Sequence, residues 1–261
     1  MIARNNYIQD IEPFIDKPQI KVITGIRRSG KSFVMRMLKE KLKERGVKDE
    51  QIIAINFESF QYVDVLEARK LYEFIQNKIK SSKKYYLLLD EIQEVNEWER
   101  AVNSFLVDFN VDIYITGSNS HLLSSELATY LAGRYMETSI YTLSYKEFLD
   151  FREAYFPKEK NQGDLFLLYL RRGGFPVIHT VDYDEESSHK VVYDIYSSVI
   201  LRDTVQRYKI RDIELLERII KYAFDNVGNT FSGKNVADYF KSQQRKVDVN
   251  TVYNYLNALE G

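Results

Sequence analysis

Eight consecutive residues carry the clearest chemistry: Gly25-Ile26-Arg27-Arg28-Ser29-Gly30-Lys31-Ser32 meets the pattern G-x-x-x-x-G-K-[ST] at every defined position. Glycines let a backbone curl until successive N–H groups converge on phosphate oxygens, and a helix starting at the end of the loop adds the partial positive charge of its N-terminus. In such a loop the Lys31 ammonium reaches the β- and γ-phosphates while the Ser32 hydroxyl meets a magnesium ion. The expected ligand is ATP or ADP with Mg2+, touched by residues 25 to 32 and by Phe33, the next residue of the helix.

A second group follows an apolar run in Leu87-Leu88-Leu89-Asp90-Glu91. An aspartate at the end of a buried strand joins Ser32 around the magnesium, and a glutamate beside it orients and deprotonates an attacking water, which makes Glu91 the candidate general base. The same two acids would also serve as caps of a following helix, the commoner use of such residues taken alone. Ser118 and Asn119 end a later apolar run, where a polar side chain senses a γ-phosphate or positions the attacking water, as the catalytic candidate Asn119 would, or simply completes a turn. Four arginines complete the candidates. Arg134 could neutralise charge in phosphoryl transfer, on its own chain or on a neighbour; Arg27 and Arg28 sit inside the loop; Arg202 beside Asp203 fits an ion pair.

The elements that must hold these residues alternate between strand-like and helix-like patterns, the signature of a parallel sheet flanked by helices. Strands are expected over Lys21–Thr24, Ile52–Phe57, Tyr85–Leu89, Asp112–Thr116 and Met136–Thr142. Helices are expected over Ser32–Arg45, Leu66–Ile79, Glu97–Phe109 and Ser125–Leu131. The strand before the glycine loop and the amphipathic helix after it are the context that such a loop requires. From Tyr145 onward the pattern turns helical, over Lys146–Arg152, Asp164–Arg171, a long Glu185–Tyr208 and Ile213–Asp225, with Gly173-Gly174-Phe175-Pro176 as a connector. Ser232–Phe240, capped by Ser232, and Asn250–Leu259 then suggest a helix-turn-helix.

Composition narrows the classes. The 261 residues exceed a typical single domain and are 44% hydrophobic and 29% charged, as in a folded protein. Without cysteine there is no disulfide, thiolate nucleophile or cysteine-bound zinc, and His121, His179 and His189 are too scattered for a metal site. Apolar stretches are short and Arg4, Asp10 and Glu12 stand where a signal peptide would be apolar, so the expected compartment is the cytoplasm, with no membrane partner. The net charge of −1 lacks the excess of a constitutive nucleic-acid coat. Local patches differ: Lys234, Lys241, Arg245 and Lys246 outweigh Asp238 and Asp248 in the helix-turn-helix, whose second helix offers Asn250, Thr251, Tyr253 and Asn254 to DNA or, equally, to a protein.

Taken in order, Gly25–Ser32, Asp90-Glu91, Thr116–Ser120, Leu131–Arg134, Ser144–Leu149 and Gly173–Pro176 follow one another as in a known family. The chain resembles the prokaryotic AAA-like P-loop ATPases that carry a C-terminal winged-helix region, and the resemblance spans nearly all of it. It implies an ASCE-type sheet in which the Asp90 strand lies between the glycine-loop strand and its partner, with Glu91 as catalytic base. It also implies a regulated switch more than a metabolic enzyme. Such proteins continue past the winged helix into a region resembling a restriction endonuclease; this chain stops at Gly261, before a β-wing, so a truncated or short form is expected and no nuclease role is carried over.

The expected architecture is thus an α/β P-loop NTPase domain over residues 1–143, a helical lid or linker over 144–208 and a partial winged helix over 209–261. The expected function is Mg-dependent ATP hydrolysis that moves the C-terminal module, by itself or in an oligomer. A nucleotide-gated DNA- or protein-binding switch with little turnover is the alternative, and a small-molecule kinase fits less well because nothing after the fourth strand resembles a substrate lid.

Overall fold

Four short apolar runs and the more polar Tyr135–Ser139 pair into one parallel sheet in the computed structural model, which describes residues 2, 4–117, 131, 133–157, 162–198, 204–245 and 247–260. The strands are β1 (Ile20–Thr24), β2 (Ile52–Asn56), β3 (Tyr85–Asp90), β4 (Val111–Thr116) and β5 (Tyr135–Ser139), in the order β2-β3-β4-β1-β5. All four pairings are parallel. One expectation is corrected: β3, which ends in Asp90, lies between β2 and β4, and β4 separates it from the glycine-loop strand. β4 therefore delivers its last residue, Thr116, between the loop and Asp90.

Parallel strands need crossovers, and these put helices on both faces. Alternation along β3 shows the consequence: Leu87 and Leu89 enter one apolar core with Leu71, Ile75 and Phe105, whereas Tyr86 and Leu88 enter another with Ile11, Val34 and Leu38. The first core is closed by α3 (Ala68–Lys78) and α4 (Trp98–Asp108), the second by α1 (Asn5–Ile11) and α2 (Lys31–Glu44). The charge within β1, Lys21, is fully buried; its ammonium is paired with Asp112 and donates to Lys17 O at 2.9 Å, and burial holds its pKa below the ordinary lysine value.

The chain divides into two compact units, residues 1–192 and 193–261. The first continues past the sheet with α5 (Tyr145–Tyr155) and α6 (Gln162–Arg172). A capping box starts α5: Ser144 Oγ accepts from Glu147 N–H, and Glu147 Oε2 accepts from Ser144 N–H at 2.8 Å. Phe148 of α5, Leu143 and Leu165 form a third core, against which His179 lies edge-on to Phe148 at 4.8 Å. The helix expected over Glu185–Tyr208 is described as α7 (Glu185–Tyr196) and α8 (Thr204–Tyr208); Arg202 lies outside the described residues, as does the Ser125–Leu131 helix apart from Leu131.

In the second unit α9 (Ile213–Asp225), α10 (Gly233–Ser242) and α11 (Val249–Glu260) bury Leu215, Ile219, Val236, Phe240 and Val252 together. Ser232 caps α10 by accepting from Asn235 N–H. No strand occurs among the described residues of this unit. Arg245, counted among the basic residues available to DNA, is committed within the unit to Asp212 and Glu214, both at 3.0 Å. Among the described residues, no helix is long and apolar enough to cross a membrane.

Candidate nucleotide-binding site

The carboxyl edge of a parallel sheet is where ligands bind, since crossover loops and helix N-termini converge there. Here β1, β2, β3, β4 and β5 end in Thr24, Asn56, Asp90, Thr116 and Ser139, polar residues that in β1 to β4 close largely apolar strands. The loop from Gly25 to Gly30 leaves β1 at this edge and enters α2 at Lys31. Two of its residues need glycine: Gly25 (φ 145°) would drive a Cβ into the Ile140 carbonyl, and Gly30 takes φ 109°. Arg28, at φ 65°, also holds a left-handed conformation, the strained geometry typical of binding loops.

Lys31 is buried at 4% exposure, and its ammonium donates to Gly25 O at 3.0 Å and Ile26 O at 3.4 Å. Glu91 Oε1 lies 3.5 Å from the same nitrogen. Asp90, at 7% exposure, accepts from the Thr116 hydroxyl and from Asn56 Nδ2 at 2.9 Å, and it shares a cavity wall with Ser32. Burial holds its pKa above the ordinary aspartate value, against the opposing pull of the Thr116 and Ser32 side chains. Glu91 sits at φ 56°, donates its backbone N–H to Thr116 Oγ1 at 2.9 Å and accepts from Gln93 Nε2 at 2.6 Å. Neither acid acts as a side-chain helix cap; the short 3-10 turn after Glu91 has no side-chain cap hydrogen bond.

The loop thus brings Gly25, Ile26, Arg27, Arg28, Ser29, Gly30, Lys31, Ser32 and Phe33 together with Asp90 and Glu91. Ser29 Oγ is buried without a hydrogen-bond partner. Arg27 turns outward to Glu58, 3.0 Å away, and Arg28 is exposed. Ser118 and Asn119 lie outside the described residues. Arg134 does not join the site of its own chain. Its carbonyl accepts from Ile20 N–H at the start of β1, so it precedes β5 at the amino edge, one strand length or about 16 Å from the loop. An arginine side chain does not span that distance back along its own strand.

Two clefts flank the loop. A cavity of about 160 Å³ is lined by Gly25, Ile26 and Ser139 to Thr142. On the other side, one of about 380 Å³ runs between α2 and β2 and includes Ser32, Arg36, Asn56 and Asp90 in its walls. The site fits a magnesium nucleotide by its donors: hard oxygens of Ser32 and Asp90 side by side, a buried ammonium, an orphaned buried serine hydroxyl and a backbone curled by two left-handed glycines. Sequence reasoning missed Asn56, Gln93 and the double role of Thr116. The available signal was positional, a polar residue ending each apolar strand, with Asn56 in register with Asp90.

Comparison with known proteins agrees with this geometry. A model described as an AAA domain matches residues 17–149, and one for a domain of unknown function matches residues 163–261. The second match takes the place of the winged-helix region that the sequence resemblance implied. An uncharacterised protein of Haemophilus influenzae is 40% identical over 261 residues, all of this chain and 64% of that one. An uncharacterised protein of Methanocaldococcus jannaschii is 34% identical over 257 residues, 95% of this chain and 56% of that one. The chain therefore spans somewhat over half the length of these curated relatives. A solved Walker-type ATPase of Pyrococcus abyssi shares the fold at a TM-score of 0.63 and 16% identity, over all of this chain and 89% of that one. With its glycine loop, its Asp90-Glu91 strand end and an AAA model matched over residues 17–149, the chain belongs to the AAA domain family.

Proposed function

We propose that this protein binds ATP with Mg2+ at the Gly25–Ser32 loop and hydrolyses it to ADP and phosphate, using the nucleotide state to move its C-terminal helical module. The observation that carries the reading is the cluster at the carboxyl edge, where the Lys31 ammonium stands 3.5 Å from Glu91 while Thr116 bonds Asp90, which shares a cavity wall with Ser32. Lys31 and the loop amides bind and orient the phosphates. Ser32 and Asp90 would hold a magnesium ion, which would supply charge neutralisation at the phosphates. Glu91, oriented by Gln93 and by its own backbone bond to Thr116, takes a proton from the attacking water. Ser118 and Asn119 remain in this reading as sensors of the γ-phosphate.

Arg134 enters only from a neighbouring copy, because its place at the amino edge removes it from its own site. Residues 1–143 form the ATPase part, 144–208 a linker and 209–261 the moving module. The exposed Asn250, Tyr253 and Asn254 on α11 offer a polar face to DNA or a protein. With Arg245 engaged by Asp212 and Glu214, the cationic contribution to DNA binding is small.

The test combines thermal unfolding with phosphate release. ATP or ADP at about 100 times its Kd raises stability by about 2.7 kcal/mol if it binds only the folded protein, and Lys31→Ala removes that gain. No stabilisation in the wild type rejects the reading. Stabilisation without phosphate release, with or without duplex DNA, replaces the hydrolase by a nucleotide-gated switch. Specific activity that rises with protein concentration supports Arg134 acting between copies, and a flat response rejects it.

A further inference from the structure

The N-terminal Arg4 is 3% exposed and stands outside every motif of the chain, yet its guanidinium reaches the phosphate loop. Nη1 donates to Ser29 O at 2.9 Å. Nε and Nη2 donate to Glu147 Oε1 and Oε2 at 2.8 and 3.2 Å, a forked pair. Nη2 also donates to Tyr141 O at 2.9 Å, Thr142 O at 3.4 Å and the Tyr7 hydroxyl at 3.2 Å. The Tyr7 ring lies under the guanidinium at 4.6 Å, and Tyr7 Oη also accepts from Tyr141 N–H. One buried cation thus ties together α1, the glycine loop, the segment after β5 and the capping carboxylate of α5.

We propose that Arg4 is a positioning residue for the nucleotide site, which locks the Ser29–Gly30 peptide in the orientation that binds phosphate, and that Glu147 holds Arg4 in place. This inference rests on the nucleotide reading of the loop. A trans peptide is planar, so its C=O and N–H point in opposite directions. Gripping Ser29 O therefore aims Gly30 N–H away from Arg4. A peptide that precedes a glycine flips with little steric cost, because glycine accepts φ of either sign. Gly30 is held at φ 109° with Arg4 Nη1 3.5 Å from where its Cβ would be, so the guanidinium occupies the space beside the flexible joint. Arg4 also holds Tyr141 O and Thr142 O, whose residues form one wall of the 160 Å³ cleft that Gly25 and Ile26 line from the other side. Preorganising both walls removes an ordering cost from binding.

Glu147 has two functions that substitution separates. It completes the capping box of α5 and carries the charge that fixes Arg4, which helps to hold its pKa below the ordinary glutamate value although burial alone would raise it. Glutamine satisfies a capping box as well as glutamate does but carries no charge. Glu147→Gln therefore loosens Arg4 while α5 keeps its cap.

The experiment is calorimetric titration of Mg-ADP into the wild type, Arg4→Met, Arg4→Lys, Glu147→Gln and the Arg4→Met/Glu147→Gln double variant. Arg4→Met weakens ADP about 10- to 100-fold, as expected for a lost charge-assisted hydrogen bond that organises a loop. Arg4→Lys, which can reach Ser29 O without the fork, recovers part of the loss, and Glu147→Gln alone costs about 3- to 10-fold. The double variant is no weaker than Arg4→Met, because Glu147 acts through Arg4. Wild-type affinity in Arg4→Met, or losses that add in full, overturns the inference and leaves the nucleotide site standing. If Arg4→Met does not fold, Arg4→Lys and Glu147→Gln decide, and unchanged affinity in both overturns it. A folded wild type that binds no ADP removes both the inference and the reading on which it rests.

Discussion

The Thr116 hydroxyl donates to Asp90 and accepts from Glu91 N–H, so one side chain aligns both acids of the site. Thr116→Val keeps the shape and removes both bonds, leaving a buried carboxylate and a buried N–H short of a partner. The expected cost is about 1–3 kcal/mol, read in thermal unfolding as a melting temperature lower by about 2–10 °C; Thr116→Ser recovers most of it. His179 predicts a pH dependence. It is fully buried, its Nε2–H donates to Gly173 O at 2.7 Å, and its Nδ1 has no partner. Burial, aided by the charges of Arg152 and Arg172, holds its pKa below the ordinary 6.5. The unfolded chain thus takes up a proton that the folded chain resists. Stability is fully present above pH 6.5 and declines as the pH falls from there toward the lowered value. His179→Gln flattens that decline in melting temperature between pH 7 and 5, and an unchanged slope assigns it to other groups. The acids Asp90 and Glu91 were legible in the sequence because they interrupt an apolar run. Thr116, Asn56 and Arg4 were not, because the contacts that matter are distant in sequence: Thr116 lies 26 and 25 residues from Asp90 and Glu91, Asn56 lies 34 from Asp90, and Arg4 lies 25 from Ser29 and 143 from Glu147.

At the scale of elements, periodicity located the five strands and most of the described helices to within a few residues, and α9 to the residue at both ends, whereas α1 was not expected. Strand order was less accessible. The β1–β4 and β3–β4 pairings are long-range, and nothing local to Asp90 says that β4 passes between it and the glycine loop. Arg134, expected near the phosphates, precedes the strand expected over Met136–Thr142; in a parallel sheet that order puts it at the amino edge, opposite the loop that leaves the end of β1. In the second unit, Gly233 lies in the first turn of α10, where a Cβ would fall 2.8 Å from two ring carbons of Tyr253 on α11. Helix propensity alone makes Gly233→Ala stabilising. The contact reverses the sign, and a loss of about 1–3 kcal/mol is expected as the tyrosine is displaced, with ADP binding at the loop unchanged. Limited proteolysis of residues 233–260 with and without the substitution reads the effect; greater resistance in the alanine variant contradicts it.

For the molecule as a whole, the parallel sheet and its two apolar faces hold five strand ends in one row, and that row is where the chemistry collects. The helical unit from residue 193 has its own apolar core and no strand among its described residues. At that row the Gly25–Ser32 loop and the Asp90-Glu91 strand end meet, the place proposed for ATP hydrolysis. The most direct measurement is phosphate release by Glu91→Gln alongside its ADP and ATP affinity. The predicted result is turnover reduced at least about 100-fold, the contribution of a general base, with both affinities within about threefold of wild type because the loop and Ser32 are untouched. Near wild-type turnover in Glu91→Gln would contradict the account.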